Sequence, residues 1–157
     1  MRNKAYEAWV SSFVANLAEH FHLHDWSIGV KFSLDEDDGK RGTYAENEIN
    51  SAYMYSTVTF YSQSRWDFEA GKFEHLISAV VHELVHIFLD PFQVYMHPHL
   101  SLTTTPMFSD MLENQTQKLT VAFLKTLPKS VIPPRPKKHG KHNTTPADDK
   151  SSPAVHS

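Results

Sequence analysis

The sequence contains no cysteine. Disulfides and thiolate metal sites are therefore excluded, and any zinc in this chain has to be held by histidine and carboxylate. No apolar run approaches the length needed to span a membrane, which removes a membrane partner from the expected roles. Met1-Arg2-Asn3-Lys4 begins like a signal peptide, but Glu7 and Ser11-Ser12 interrupt the apolar segment that should follow. A cytoplasmic, intracellular protein is the expectation. Nor is there an internal repeat.

What is present bounds a single core. A chain of 157 residues with 40% hydrophobic side chains is most simply one domain. Its net charge of -3 conceals an asymmetry, because residues 1 to 128 carry 9 basic and 16 acidic side chains while 129 to 157 carry 6 and 2. An acidic body offers no broad phosphate-binding face, so no specific nucleic-acid partner is expected. The basic stretch from Arg135 to His142 would touch polyanions only weakly.

The chemistry lies in Val80-Val81-His82-Glu83-Leu84-Val85-His86-Ile87-Phe88. Residues four apart share a helix face, so His82 and His86 can present two imidazole nitrogens to one ion. Glu83 lies about 100° round the helix, where it reaches a water on that ion without ligating, the general-base position of a zinc peptidase. In a chain with 11 histidines the pattern arises by chance about 0.04 times. Its setting is more specific: Phe73, Leu76, Ile77, Val80, Val81, Leu84 and Phe88 form an apolar stripe. His75, Ala79, His82, His86 and Asp90 fall on one opposite strip with Glu83 at its edge, and that strip would floor a cleft.

Along the chain, Tyr6, Trp9, Val10, Phe13, Val14, Leu17 and Phe21 predict an amphipathic helix over 3–22. His20, His22 and His24 at its end read as surface residues. Strands are expected at 26–32, 42–46 and 53–61, with the acidic run 35–40 as a turn. Residues 62–66 look like a polar link. The motif helix should span 71–89 and stop at Asp90-Pro91. A loop follows over 92–104, then a helix entered at Thr105-Pro106 and closed by Pro128. The expected fold class is α+β: an N-terminal helix, a small antiparallel sheet of about three strands, the motif helix, a C-terminal ligand helix and a disordered tail. The domain is placed at 1–128, with 129–157 as a basic, proline-rich tail.

Catalytic zinc keeps three protein ligands and an open position. A His-Glu-x-x-His-x-x-Gly-x-x-His site would need glycine at 89 and histidine at 92, where Leu89 and Phe92 stand. Glu113 is the only glutamate downstream of the motif and becomes the chosen third ligand, ahead of His97, His99 and Asp110.

These features resemble the small zincin-like metallopeptidases of phages and prophages, a minimal gluzincin. The resemblance covers roughly residues 5–127. It is carried by Asp25-Trp26-Ser27-Ile28, Thr57-Val58-Thr59-Phe60, the motif from His82 to Leu89, and Leu112-Glu113-Asn114-Gln115-Thr116-Gln117-Lys118-Leu119. It implies one zinc ion (Zn2+) per chain on His82, His86 and Glu113, with Glu83 as the base, in a protein of phage origin. Larger gluzincins have asparagine where Leu112 stands and aspartate where Gln117 stands, which leaves Asp90 as the replacement support for the histidines.

The function expected is a zinc-dependent metalloendopeptidase acting on a peptide or protein substrate. Thr57, Val58 and Thr59, if at a sheet edge, would pair with the substrate, and Tyr95, His97 or His99 would stabilise the oxyanion. Two other readings are a zinc-stabilised binding or regulatory protein without turnover and a SprT-like peptidase using a loop histidine. The substrate and oligomeric state are not assigned by the sequence.

Overall fold

The computed structural model describes residues 3–34, 42–99 and 105–136. Its elements are α1 (Lys4–His20), β1 (Ser27–Ser33), β2 (Ala45–Asn50), β3 (Tyr55–Tyr61), α2 (Ser62–Ala70), α3 (Phe73–Met96) and α4 (Thr105–Thr126), with single 3-10 turns at Ser51–Tyr53 and His97–His99. The class is α+β. The acidic turn expected at 35–40, the loop residues 100–104 and the tail 137–157 lie outside the described residues.

The sheet is mixed, not antiparallel as expected. Its order is β1-β3-β2, with β1 parallel and β2 antiparallel to β3. The segment richest in β-branched and aromatic residues takes the middle, where both of its edges are hydrogen-bonded. Alternation then sorts the faces: Val58 and Phe60 are fully buried, in register with Val30 and Phe32 on one side and with Asn47 and Ala45 on the other. The second strand starts and ends later than expected, at Ala45–Asn50, and Met54 in the left-handed region (φ 47°) makes the turn into β3.

Helix α1 lays Tyr6, Val10, Phe13 and Leu17, none of them exposed, into the core, and Asn3 caps it by accepting from the Tyr6 N–H at 3.2 Å. Helix α2 stands where a polar link was expected. Local composition does not make it helical; tertiary contact does, since Tyr6 bonds Ser64 and Phe68 packs on Tyr6, Trp9 and Phe73 at centroid distances of 5.3–5.9 Å. Gly71, at φ 78°, ends α2 in the conformation that favours glycine.

Helix α3 is the central element. Leu76, Val80, Val81, Leu84, Val85 and Ile87 are all fully buried, whereas Phe88 of the expected stripe is 45% exposed. The helix runs through Pro91 to Met96. The proline forfeits one main-chain bond, yet the continuation is held because Phe92 packs on Phe108 of α4, with centroids 6.3 Å apart. No helix among the described residues is long and apolar enough to cross a membrane.

β2 and α3 run in the same direction, and the strand and the residues flanking it meet the helix at three places: Tyr44 to His75, Asn47 to Glu83 and Ser51 to Asp90. Fifteen helical residues rise about 23 Å. Seven extended residues also cover about 23 Å. Strand and helix therefore stay in step from one end of the motif strip to the other.

Past α4 the chain does not leave the body at 128. The Trp9 indole donates to the Pro133 carbonyl at 3.1 Å and Asn16 to that of Val131 at 3.0 Å. Arg135 meets Glu74 at 3.1 Å and lies over the Phe73 ring. Packed contacts thus continue as far as Arg135, whose exposed side chain rests on the Phe73 ring and the Glu74 carboxylate.

Candidate metal centre

Helix α3 places His82 and His86 one turn apart, and α4 crosses so that Glu113 reaches both. His82 Nε2 lies 3.1 Å from His86 Nε2 and 3.2 Å from Glu113 Oε1, while His86 Nε2 is 3.4 Å from Glu113 Oε2. Zinc–nitrogen and zinc–oxygen bonds of about 2.0–2.1 Å at tetrahedral angles require donors about 3.3 Å apart. The nitrogen–nitrogen spacing, and the contact of each nitrogen with one of the two carboxylate oxygens, are of that size, and one donor atom from each residue lies within 4.8 Å of the other two, so the three residues can hold a single metal ion. Among the described residues they form the sole such group.

Glu113 is carried there at the edge of the buried side of α4. Phe108, Leu112, Thr116 and Thr120 are buried, and this face, packed on α3, leaves Glu113 projecting along the edge towards the histidines. Its side chain is 59% exposed against 20% and 27% for His82 and His86. Burial, then His82, pushes the His86 imidazole below its ordinary range, with Glu113 opposing. A neutral imidazole is the form that ligates.

Glu83 is 7% exposed and lines the same cleft as the three donors. Burial pushes its carboxyl up to about 7, helped by the negative charges of Glu113 and Glu46. A carboxyl poised there can take up and return a proton near neutral pH. The Asn47 side-chain amide donates to the Glu83 carbonyl at 2.9 Å, tying the strand to the turn of helix that carries both histidines.

The cleft has two lobes. One, about 570 Å³, is bounded by Ala45, Asn47 and Ile49 of β2 together with Asp90, Gln93 and Glu113. The other, about 430 Å³, is bounded by Tyr44, His75, Ala79 and Gln117. His82 and Glu83 belong to both, so the strip read from the sequence does floor a continuous groove.

Other expected site residues fall elsewhere. Thr57, Val58 and Thr59 sit in the middle strand, paired to Gly29, Val30 and Lys31 on one side and to Glu48, Asn47 and Glu46 on the other. Their main-chain groups are committed, and the edge strand beside the groove is β2. Tyr95 is 70% exposed on the last turn of α3, packs against His99 at 5.7 Å, and neither lines the groove. The extension of α3 past Pro91 carries them away. The side chain of His97 lies outside the described part. Asp90 accepts from Ser51, in the turn that follows β2, at 2.9 Å. Asp110 is exposed on α4 and outside the donor group.

The sequence reading missed Tyr44, Asp67 and Asn47. Asp67, 4% exposed, accepts from the Tyr44 hydroxyl at 2.5 Å and faces His75 Nδ1 at 3.1 Å. The Tyr44 hydrogen bond holds the Asp67 carboxyl below the usual range against the opposing effect of burial. Burial and the Asp67 hydrogen bond raise the Tyr44 phenol. A signal existed for His75 alone, as a member of the polar strip. Comparison with protein-family models, curated proteins and solved structures finds no match to this chain.

Proposed function

We propose that the protein is a zinc-dependent peptidase of the gluzincin type, with His82, His86 and Glu113 holding the metal. The observation that carries this reading is the donor group, with two imidazole nitrogens 3.1 Å apart and each 3.2–3.4 Å from one Glu113 oxygen, beside a glutamate whose carboxyl burial pushes up to about 7. Bound zinc would supply a Lewis acid that acidifies water and polarises a carbonyl oxygen. Glu83 takes the proton released as water attacks the peptide carbonyl and returns it to the departing amine. Asn47 fixes the helix turn that carries Glu83. The substrate lies extended in the groove against β2, whose outer edge pairs with no strand among the described residues, and main-chain hydrogen bonds hold it there.

The test is zinc-loaded protein against Glu83→Gln. Wild type cleaves a peptide library, and the variant loses about 10² to 10⁴-fold in kcat/KM while metal analysis still returns one zinc per chain. Equal turnover in the two proteins refutes the mechanism. Zinc binding without cleavage by wild type favours a zinc-stabilised binding protein instead.

A further inference from the structure

The groove holds a second arranged group that metal binding does not require. Asp67, buried on α2, takes the Tyr44 hydroxyl and faces His75 Nδ1 at 3.1 Å, while Tyr44 also approaches that nitrogen at 3.3 Å. The His75 side chain is 66% exposed, yet its ring is held in one orientation by two residues from other elements. With Nδ1 turned to a carboxylate, the neutral ring carries its proton there and offers the Nε2 lone pair outward. His75 lines the lobe shared with Ala79, His82 and Glu83.

Position turns this into a prediction of specificity. His75 precedes His82 by two turns on the same strip, about 10 Å along the axis, or three residues of an extended peptide. Antiparallel pairing is the more stable arrangement. Because β2 and α3 run together from the His75 end to the Asp90 end, a peptide antiparallel to β2 enters at Asp90 and leaves at His75. Residues following the cut therefore approach His75. An acceptor nitrogen backed by the Asp67 carboxylate, on an acidic body, suits a cationic donor.

Resting on the peptidase reading, the geometry points to His75, oriented by Asp67 and Tyr44, as a substrate-binding residue that selects a lysine-like side chain at the third position past the scissile bond. The recognised chemistry is a primary ammonium donating to Nε2. Tyr44 acts through His75 as a positioning residue.

Two fluorogenic hexapeptides test this, cut between the second and third residues and carrying lysine or norleucine at the fifth. Wild type should favour lysine about fivefold in kcat/KM, the worth of one hydrogen bond. His75→Phe, which keeps a ring, should bring the ratio to about one, and Tyr44→Phe should reduce it. Any loss of folded protein cancels within each ratio. Anisotropy with labelled forms of the same peptides on the Glu83→Gln chain should show the same preference, abolished by adding His75→Phe. A preference that survives His75→Phe overturns the inference and leaves the peptidase reading intact. Lysine-selective binding that depends on His75, without cleavage by wild type, overturns the peptidase reading alone. No preference in either measurement overturns the role of His75.

Discussion

The side-chain amide of Asn47 donates to the main-chain carbonyl of Glu83 at 2.9 Å, and the Asn47 side-chain oxygen Oδ1 in turn accepts from the Ser56 hydroxyl on the middle strand. One asparagine thus connects the sheet, its edge strand and the motif helix. Asn47→Ala leaves the buried Ser56 hydroxyl without this partner and should cost about 1–3 kcal/mol. Urea unfolding, read as a lower midpoint at unchanged slope, measures it; a midpoint within error of wild type would contradict the connection.

Zinc should stabilise the folded chain, because the donor triangle exists only when α3 and α4 are packed. Saturation at about 100 times the dissociation constant should add about 2.7 kcal/mol. Thermal melts with and without chelator report this. Glu113→Ala should weaken zinc by at least tenfold in competition with a chromophoric chelator. An unchanged affinity removes Glu113 from the ligand set.

Asp67 predicts an acid-labile component. Its folded pKa lies below the ordinary value, chiefly through Tyr44, so its stabilisation is present above the unfolded value near 3.9 and is lost as pH falls through the folded one. Asp67→Asn should flatten the decline of stability below about pH 4. Denaturation midpoints from pH 6 to pH 3 for both proteins make the comparison, and parallel curves would sink it.

Ending the chain at Pro128 instead of Pro136 should remove the bonds to Trp9 and Asn16, a loss of about 2 kcal/mol. It should also expose the Trp9 indole, which is 5% exposed in the folded chain. Calorimetry and a red shift in tryptophan emission test the pair of truncations. Identical melts would return the domain boundary to 128.

The sequence made most of the helical framework legible because helix α1, α3 and α4 each repeat their apolar residues at helical spacing. It also brought His82, His86 and Glu113 into one proposal before their distances were known. What it hid was decided by contacts distant along the chain. Helix α2 exists because Ser64 and Phe68 meet α1, and no local period announces that. The insertion of β3 between β1 and β2 depends on which strand buries best from both sides, so Thr57 to Thr59 were assigned an open edge that belongs to β2. Pro91 argued locally for a stop, and the packing of Phe92 on Phe108 outweighed one missing hydrogen bond. Asp67 acts on the groove from an element that was read as a link.

The equal reach of the stretch from Tyr44 to Ser51 and the helix from His75 to Asp90 has a consequence for change by insertion. An added residue within that stretch can keep the contact at one end or the other, not both, and it turns every later side chain to the opposite face. Asn47 would then point away from Glu83. A substitution along β2, Asn47 included, removes a side chain's own contacts but leaves the spacing alone. What the three contacts fix along this edge is therefore its length.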